Sequence, residues 1–98
     1  MRQSKLTKAA RGRECQVRIP GVCNGNPETV VLAHYRLAGT CGVGSKPNDL
    51  QGAWACSSCH DAIDGRHHAI SRDEARLLHA EGVMRTHDHL VREGLVKA

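Results

Sequence analysis

Within one short run, Cys56-Ser-Ser-Cys59-His60, the chain places two thiols and an imidazole side by side. The order C-x-x-C-H serves two chemistries: thioether attachment of a c-type haem, or a pair of thiolate metal ligands next to a metal-binding imidazole. A second pair, Cys15-x7-Cys23, stands upstream. Four soft thiolates in two local pairs suit a tetrahedral zinc ion, which they would saturate while adding directly to folding free energy. Cys41, in a glycine-rich loop, is the alternative zinc ligand, and otherwise a small buried apolar residue.

A saturated zinc leaves His60 available for other work. Asp64 follows it at the i, i+4 spacing that puts both on one helix face. His34 ends the β-branched run "TVVLAH" and is expected on a strand. If that strand faces the helix, an imidazole lies opposite a histidine and a carboxylate. The set suits metal-assisted phosphodiester hydrolysis, in which one imidazole takes a proton from water. A divalent ion held by the other groups then stabilises charge on the phosphate and the leaving 3′-oxygen. His34 alone would more simply be a hydrogen-bonded core histidine.

The 98 residues have room for one domain, with no Phe, only Trp54 and Tyr35 as aromatics, and ten glycines, so a large apolar core is not available. Five cysteines supply a staple. The start "MRQSKLTKAARGREC" carries no apolar run of signal-peptide length, and no later stretch has membrane-span length. The expectation is a cytoplasmic protein without membrane association. In a reducing cytoplasm cysteines favour metal over disulfides, and haem attachment, which follows export, is disfavoured.

The net charge of +4 favours an anionic partner, with nucleic acid first among them. Arg2, Lys5, Lys8, Arg11, Arg13 and Arg18 face only Glu14 in residues 1–18, a candidate phosphate-contacting arm. Its bland reading is a solvated tail.

The elements that must position these groups are short. "TKAARGR" predicts a helix ended by Gly12. "CQVRIP", the turn-rich "GVCNGNPE" and "TVVLAHY" predict a hairpin from Cys15 to Tyr35 with Cys23 near its turn. "LAGTCGVGSKPN" is a long loop, "LQGAWA" a short strand, and a helix is expected from Ser57 or Ser58 to about Arg66. Ser71 and Glu74 form a capping box for a helix stopped at Gly82, and a further helix is expected over Met84–Glu93. His79, His87 and His89 are expected as surface or packing residues. The single domain, 1–98, divides into a basic arm (1–14), a core (15–68) and C-terminal helices (69–98).

"LAHYR" on a strand, a glycine-containing loop, "ND" before a short strand, and "CSSCHDAID" opening a helix together resemble the HNH nucleases. More closely, "AARGRECQVRIPGVCNG" through "CSSCHDAID" is similar to the small prophage-encoded nucleases of the YbcO type, over nearly the whole chain. The resemblance implies an α+β fold with a ββα-metal core, a hairpin against one helix, stapled by a four-cysteine zinc site. It implies His34 as general base, Asn48 or Asp49 orienting the loop and that base, and His60 binding the catalytic ion. Asp64 stands where many members carry a second metal-binding histidine, a carboxylate suited to Mg²⁺ or Mn²⁺, with Ni²⁺ or Zn²⁺ as further candidates. His67, His68 or the phosphate would complete the shell. Ala33 stands where the family often has a metal-ligating Asp or His.

The expected function is a metal-dependent DNA endonuclease. Lys5, Lys8, Arg11, Arg13, Arg36, Lys46 and Arg66 are the candidate phosphate contacts, and a homodimer is one route to double-strand cleavage. The alternative from another class is a non-catalytic zinc-stabilised module of phage origin that binds DNA or protein.

Overall fold

The computed structural model describes residues 5–40, 48–65 and 70–97. Helix α1 spans Lys5–Ala9, and the chain turns out of it through Gly12 at φ +84°. Strands β1 (Val31–His34) and β2 (Gly52–Ala55) pair antiparallel, with Leu32 opposite Trp54 and His34 opposite Gly52. Helix α2 (Ser57–Ile63) follows β2 at once, and α3 (Arg72–Arg92) lies across β2. Two single 3-10 turns, Pro27–Thr29 and Asp49–Gln51, lead into the strands.

The expected hairpin from Cys15 to Tyr35 does not form. Cys15, Gln16 and Val17 are all buried, and alternation is present only over residues 17–20, Val17 and Ile19 being buried and Arg18 and Pro20 exposed. Arg18, however, takes φ +54°, a left-handed conformation that breaks a strand. Val22 N and Cys23 N then donate to Ile19 O, at 3.1 and 2.9 Å, and this turn folds Cys23 back beside the core. β1 takes its partner from beyond the long loop instead.

The C-terminal half departs from expectation too. One helix of 21 residues replaces the two expected, and Gly82 lies in its middle. A Cβ at Gly82 would stand 3.0 Å from Val17 Cγ2, 3.1 Å from Val17 Cα and 3.3 Å from Ala53 Cβ, so glycine is there to let helix, strand and loop approach one another. The buried face of α3 is Ala75, His79, Gly82, Thr86 and Leu90, mostly small or polar groups, whereas Leu77 is 59% exposed. Thr86 Oγ1 accepts from Trp54 N at 2.9 Å and donates to Gly82 O at 2.8 Å. Gln16 N donates to Trp54 O at 2.7 Å. The open edge of a two-stranded sheet is thus closed without a third strand.

Gly82→Val follows as a stability test. Alanine there would gain about 1 kcal/mol of helix propensity against an overpacking cost of about 1–3 kcal/mol, but a β-branched side chain meets Val17 backbone and cannot be accommodated by one rotamer change. The variant is expected to melt at least ~10 °C lower in a circular-dichroism scan, at about 4–8 °C per kcal/mol for a domain of this size. An unchanged melting temperature would contradict the close approach.

Candidate functional site

Four thiols meet where the irregular N-terminal segment crosses the start of α2. Cys56 is the N-cap of α2, its Sγ accepting from Cys59 N at 3.4 Å, which fixes the C-x-x-C pair on the first turn. The turn at Ile19 and the buried Cys15 bring the other two thiols to them. All four Sγ atoms lie within 4.8 Å of one another, and Cys23 and Cys56 are 3.8 Å apart. Ligands about 2.3 Å from a tetrahedral zinc are separated by about 3.8 Å, so the donor set fits that ion. The Cys59 thiol, hydrogen-bonded to Cys15, holds the Cys15 thiol well below its ordinary pKa against the effect of burial, with backbone amides of Arg18, Cys56 and Val17 assisting. The same shared proton pushes Cys59 up, and burial raises Cys23. One thiolate is favoured even before any cation arrives.

A second centre is built from the end of β1, the 3-10 turn before β2, and α2. His34, the last residue of β1, has Nε2 2.7 Å from Asp49 Oδ1. Thr7 of α1 donates to the other oxygen of Asp49 at 3.4 Å. Asn48, the other residue expected to orient the base, instead caps the 3-10 turn through Leu50 N at 2.9 Å and bonds Gln51. The division is physical: the capping amide holds the turn, and the turn aims the carboxylate. His60 Nε2 and Asp64 Oδ2 are 3.6 Å apart, one helical turn from each other. That gap is longer than a hydrogen bond and short enough for both atoms to lie about 2.1 Å from one divalent ion. Asp64 shares a cleft of about 300 Å³ with His34, Arg36, Arg72, Arg76 and His79. His60 faces a separate groove with Lys8 and Arg11 of the N-terminal segment.

The remaining expected residues divide by position. Lys5, Lys8 and Arg36 are exposed. Arg13 is engaged elsewhere, bonded to Glu93 at 2.5 Å and stacked over the Trp54 ring at 5.1 Å, so it ties the arm to the end of α3. Cys41, Lys46, Arg66, His67 and His68 lie outside the described residues. Ala33 is buried, and its carbonyl accepts from His79 Nε2 at 2.8 Å.

A family model described as "Putative nuclease YbcO" matches residues 4–95. The chain belongs to the YbcO family. It is 60% identical over 93 residues to "Putative nuclease YbcO" of Escherichia coli (strain K12), covering 95% of this chain and 97% of that one. The same identity and coverage hold for the protein of that name from Enterobacteria phage 82. A solved structure titled as that of "a putative bacteriophage protein" from Escherichia coli K-12 superposes with a TM-score of 0.79 at 54% identity, over 91% of this chain and 99% of that one. Among the described residues of this YbcO member, no helix is long and apolar enough to cross a membrane.

Sequence reasoning gave no site role to three residues of this candidate centre. Arg72 and Arg76 stand one turn apart at the start of α3, a spacing visible behind the Ser71 cap. His79, expected only as a surface or packing residue, holds the backbone immediately before His34. Burial pushes its pKa down, with smaller contributions from its neighbours His60 and Arg76, while the bond to Ala33 and the Asp64 carboxylate oppose the fall. The native state therefore keeps His79 neutral while the unfolded chain, near the ordinary value of about 6.5, takes up a proton. Stability is present above that value and is lost as pH falls from it toward the depressed native pKa. Urea unfolding at about pH 7.5 and about pH 5.5 should show a smaller loss in His79→Gln, which keeps a donor for Ala33 without titrating there. Equal losses in the two proteins would remove His79 from the account.

Proposed function

We propose that the chain is a metal-dependent endonuclease of the HNH type that hydrolyses DNA phosphodiester bonds. The observation that carries the reading is His34, bonded to Asp49 at the end of β1 and opening into the same cleft as Asp64 of α2. The strand, strand, helix order supports it, as do the relatives' names. An ionised Asp49 accepts from Nε2–H of His34, which leaves Nδ1 as the lone-pair nitrogen able to take a proton from water. Water so deprotonated attacks phosphorus, and the bond to the 3′-oxygen breaks. Mg²⁺ or Mn²⁺ held by His60 and Asp64, with Ni²⁺ or Zn²⁺ as alternatives, would supply stabilisation of charge on the phosphate and leaving oxygen. Two protein donors suit a hard ion that takes its other ligands from water and substrate phosphate. A zinc ion on the four thiolates would hold α2 against the N-terminal segment, and its saturated shell would leave it no part in the reaction.

Ala33 favours a second reading. With a buried methyl where the family often has a ligand, a zinc-stabilised module that binds DNA without cutting it is the alternative. The test is nicking of supercoiled plasmid by zinc-loaded protein over a titration of Mg²⁺ and Mn²⁺. Tight binding without nicking at any concentration supports the module.

A further inference from the structure

Among the described residues, some cations are tied to the protein itself and others are not. Arg13 pairs with Glu93, Arg92 with Asp88 at 2.9 Å, and Arg85 donates to Gln16 O at 2.9 Å. Lys8, Arg11, Arg72 and Arg76 are exposed and, among the described residues, have no carboxylate partner. These four line the two depressions that flank the His60–Asp64 pair. Arg72 and Arg76 lie in the cleft with His34, where Arg76 is braced over the Tyr35 ring at 4.7 Å. Lys8 and Arg11 lie in the larger groove on the His60 side, about 830 Å³, which also carries Glu28 and the hydroxyls of Thr29 and Ser57.

Resting on the nuclease reading, the geometry points to a two-sided hold: a nucleic-acid strand crosses the His60–Asp64 pair with one phosphate on Arg72 and Arg76 and another on Lys8 and Arg11. Guanidinium groups suit this task, since each can offer paired donors to phosphate oxygens and neither changes charge near neutral pH. Arg76 adds a rigid placement through its ring contact. A strand gripped on both sides of the reacting bond must continue in both directions, so the substrate is an internal phosphodiester, and a terminal nucleotide lacks half of the hold.

The test measures binding of zinc-loaded protein to a fluorescent DNA oligonucleotide without added Mg²⁺ or Mn²⁺, across a range of salt. The variants are Arg72→Gln/Arg76→Gln, Lys8→Gln/Arg11→Gln, their combination, and Arg92→Gln as a control from the outer face of α3. Each pair should weaken binding at least tenfold and lower the slope of log affinity against log salt by about one for each phosphate no longer engaged. The combined variant should show the sum, and the control should stay within about twofold of the parent. Arg72→Gln alone, which disturbs no ring contact, should give part of the effect with an unchanged melting temperature. Unchanged affinity and slope in either pair, or a parent that does not bind DNA, overturns the two-sided hold. Plasmid nicking by the parent is scored separately, so nicking with unaffected pairs defeats the hold alone, and binding losses without nicking defeat the nuclease reading alone.

Discussion

His34→Ala is expected to abolish plasmid nicking while zinc content and melting temperature stay at parental values. The loss should be on the order of 10²–10⁴-fold, the usual contribution of a positioned general base. His34 is only partly buried and its described partner is one carboxylate, so its removal leaves little of the core unsupported. Asp49→Asn is the companion. An amide can still bond Nε2–H through its oxygen, but it does not stabilise the imidazolium that forms when the base takes its proton, so activity should fall without vanishing. The two variants would separate the proposed roles, the lone pair on His34 and its tautomer and direction from Asp49. Full activity in His34→Ala would remove the assigned base, and with it the HNH mechanism.

Removal of the zinc is expected to unfold the protein. The apolar core is built from Val17, Ile19, Val30, Leu32, Trp54, Ile63 and Leu90 with alanines and cysteines, and the chain has no Phe to enlarge it. Apparent zinc binding at thiolate sites is worth about 10–16 kcal/mol, as large as the whole stability of an ordinary domain at about 5–15 kcal/mol. Dialysis against a strong chelator should therefore abolish the cooperative melting transition, and elemental analysis before dialysis should return one zinc per chain. Cys59→Ser should reproduce the loss, since Cys59 is fully buried among the other three thiols. Cys41→Ser should keep both metal and transition. A chelated chain with an unshifted transition would show that packing alone carries the fold.

The thiol cluster was legible because C-x-x-C fixes its own geometry on a helix start and Cys15 and Cys23 form a second local pair, although the sequence left Cys41 open as an alternative. α2, β2 and the capping box at Ser71 were legible for similar reasons, each being specified by a few neighbouring residues. The partner of β1 was not. Val17 and Ile19 alternate as a strand does, and nothing in their types reveals that Arg18 turns left-handed or that the real partner lies beyond the long loop. Gly82 misled in the opposite way. A glycine between helical stretches reads as a stop, but its neighbours Ala75, Thr86 and Leu90 on the same face describe a helix pressed close to a sheet. Which of Asn48 and Asp49 meets His34 needed coordinates, since both carry a side-chain acceptor and only the turn's geometry decides which one reaches the ring.

The way α3 closes the sheet bears on the order of events during synthesis. All four thiols have been made once Cys59 is made, whereas Trp54 N must wait for Thr86, and Val17 and Ala53 wait for Gly82. A nascent chain can therefore take up its metal before it has a covered core, and the metal-tied half would hold the strands in place while α3 is still emerging.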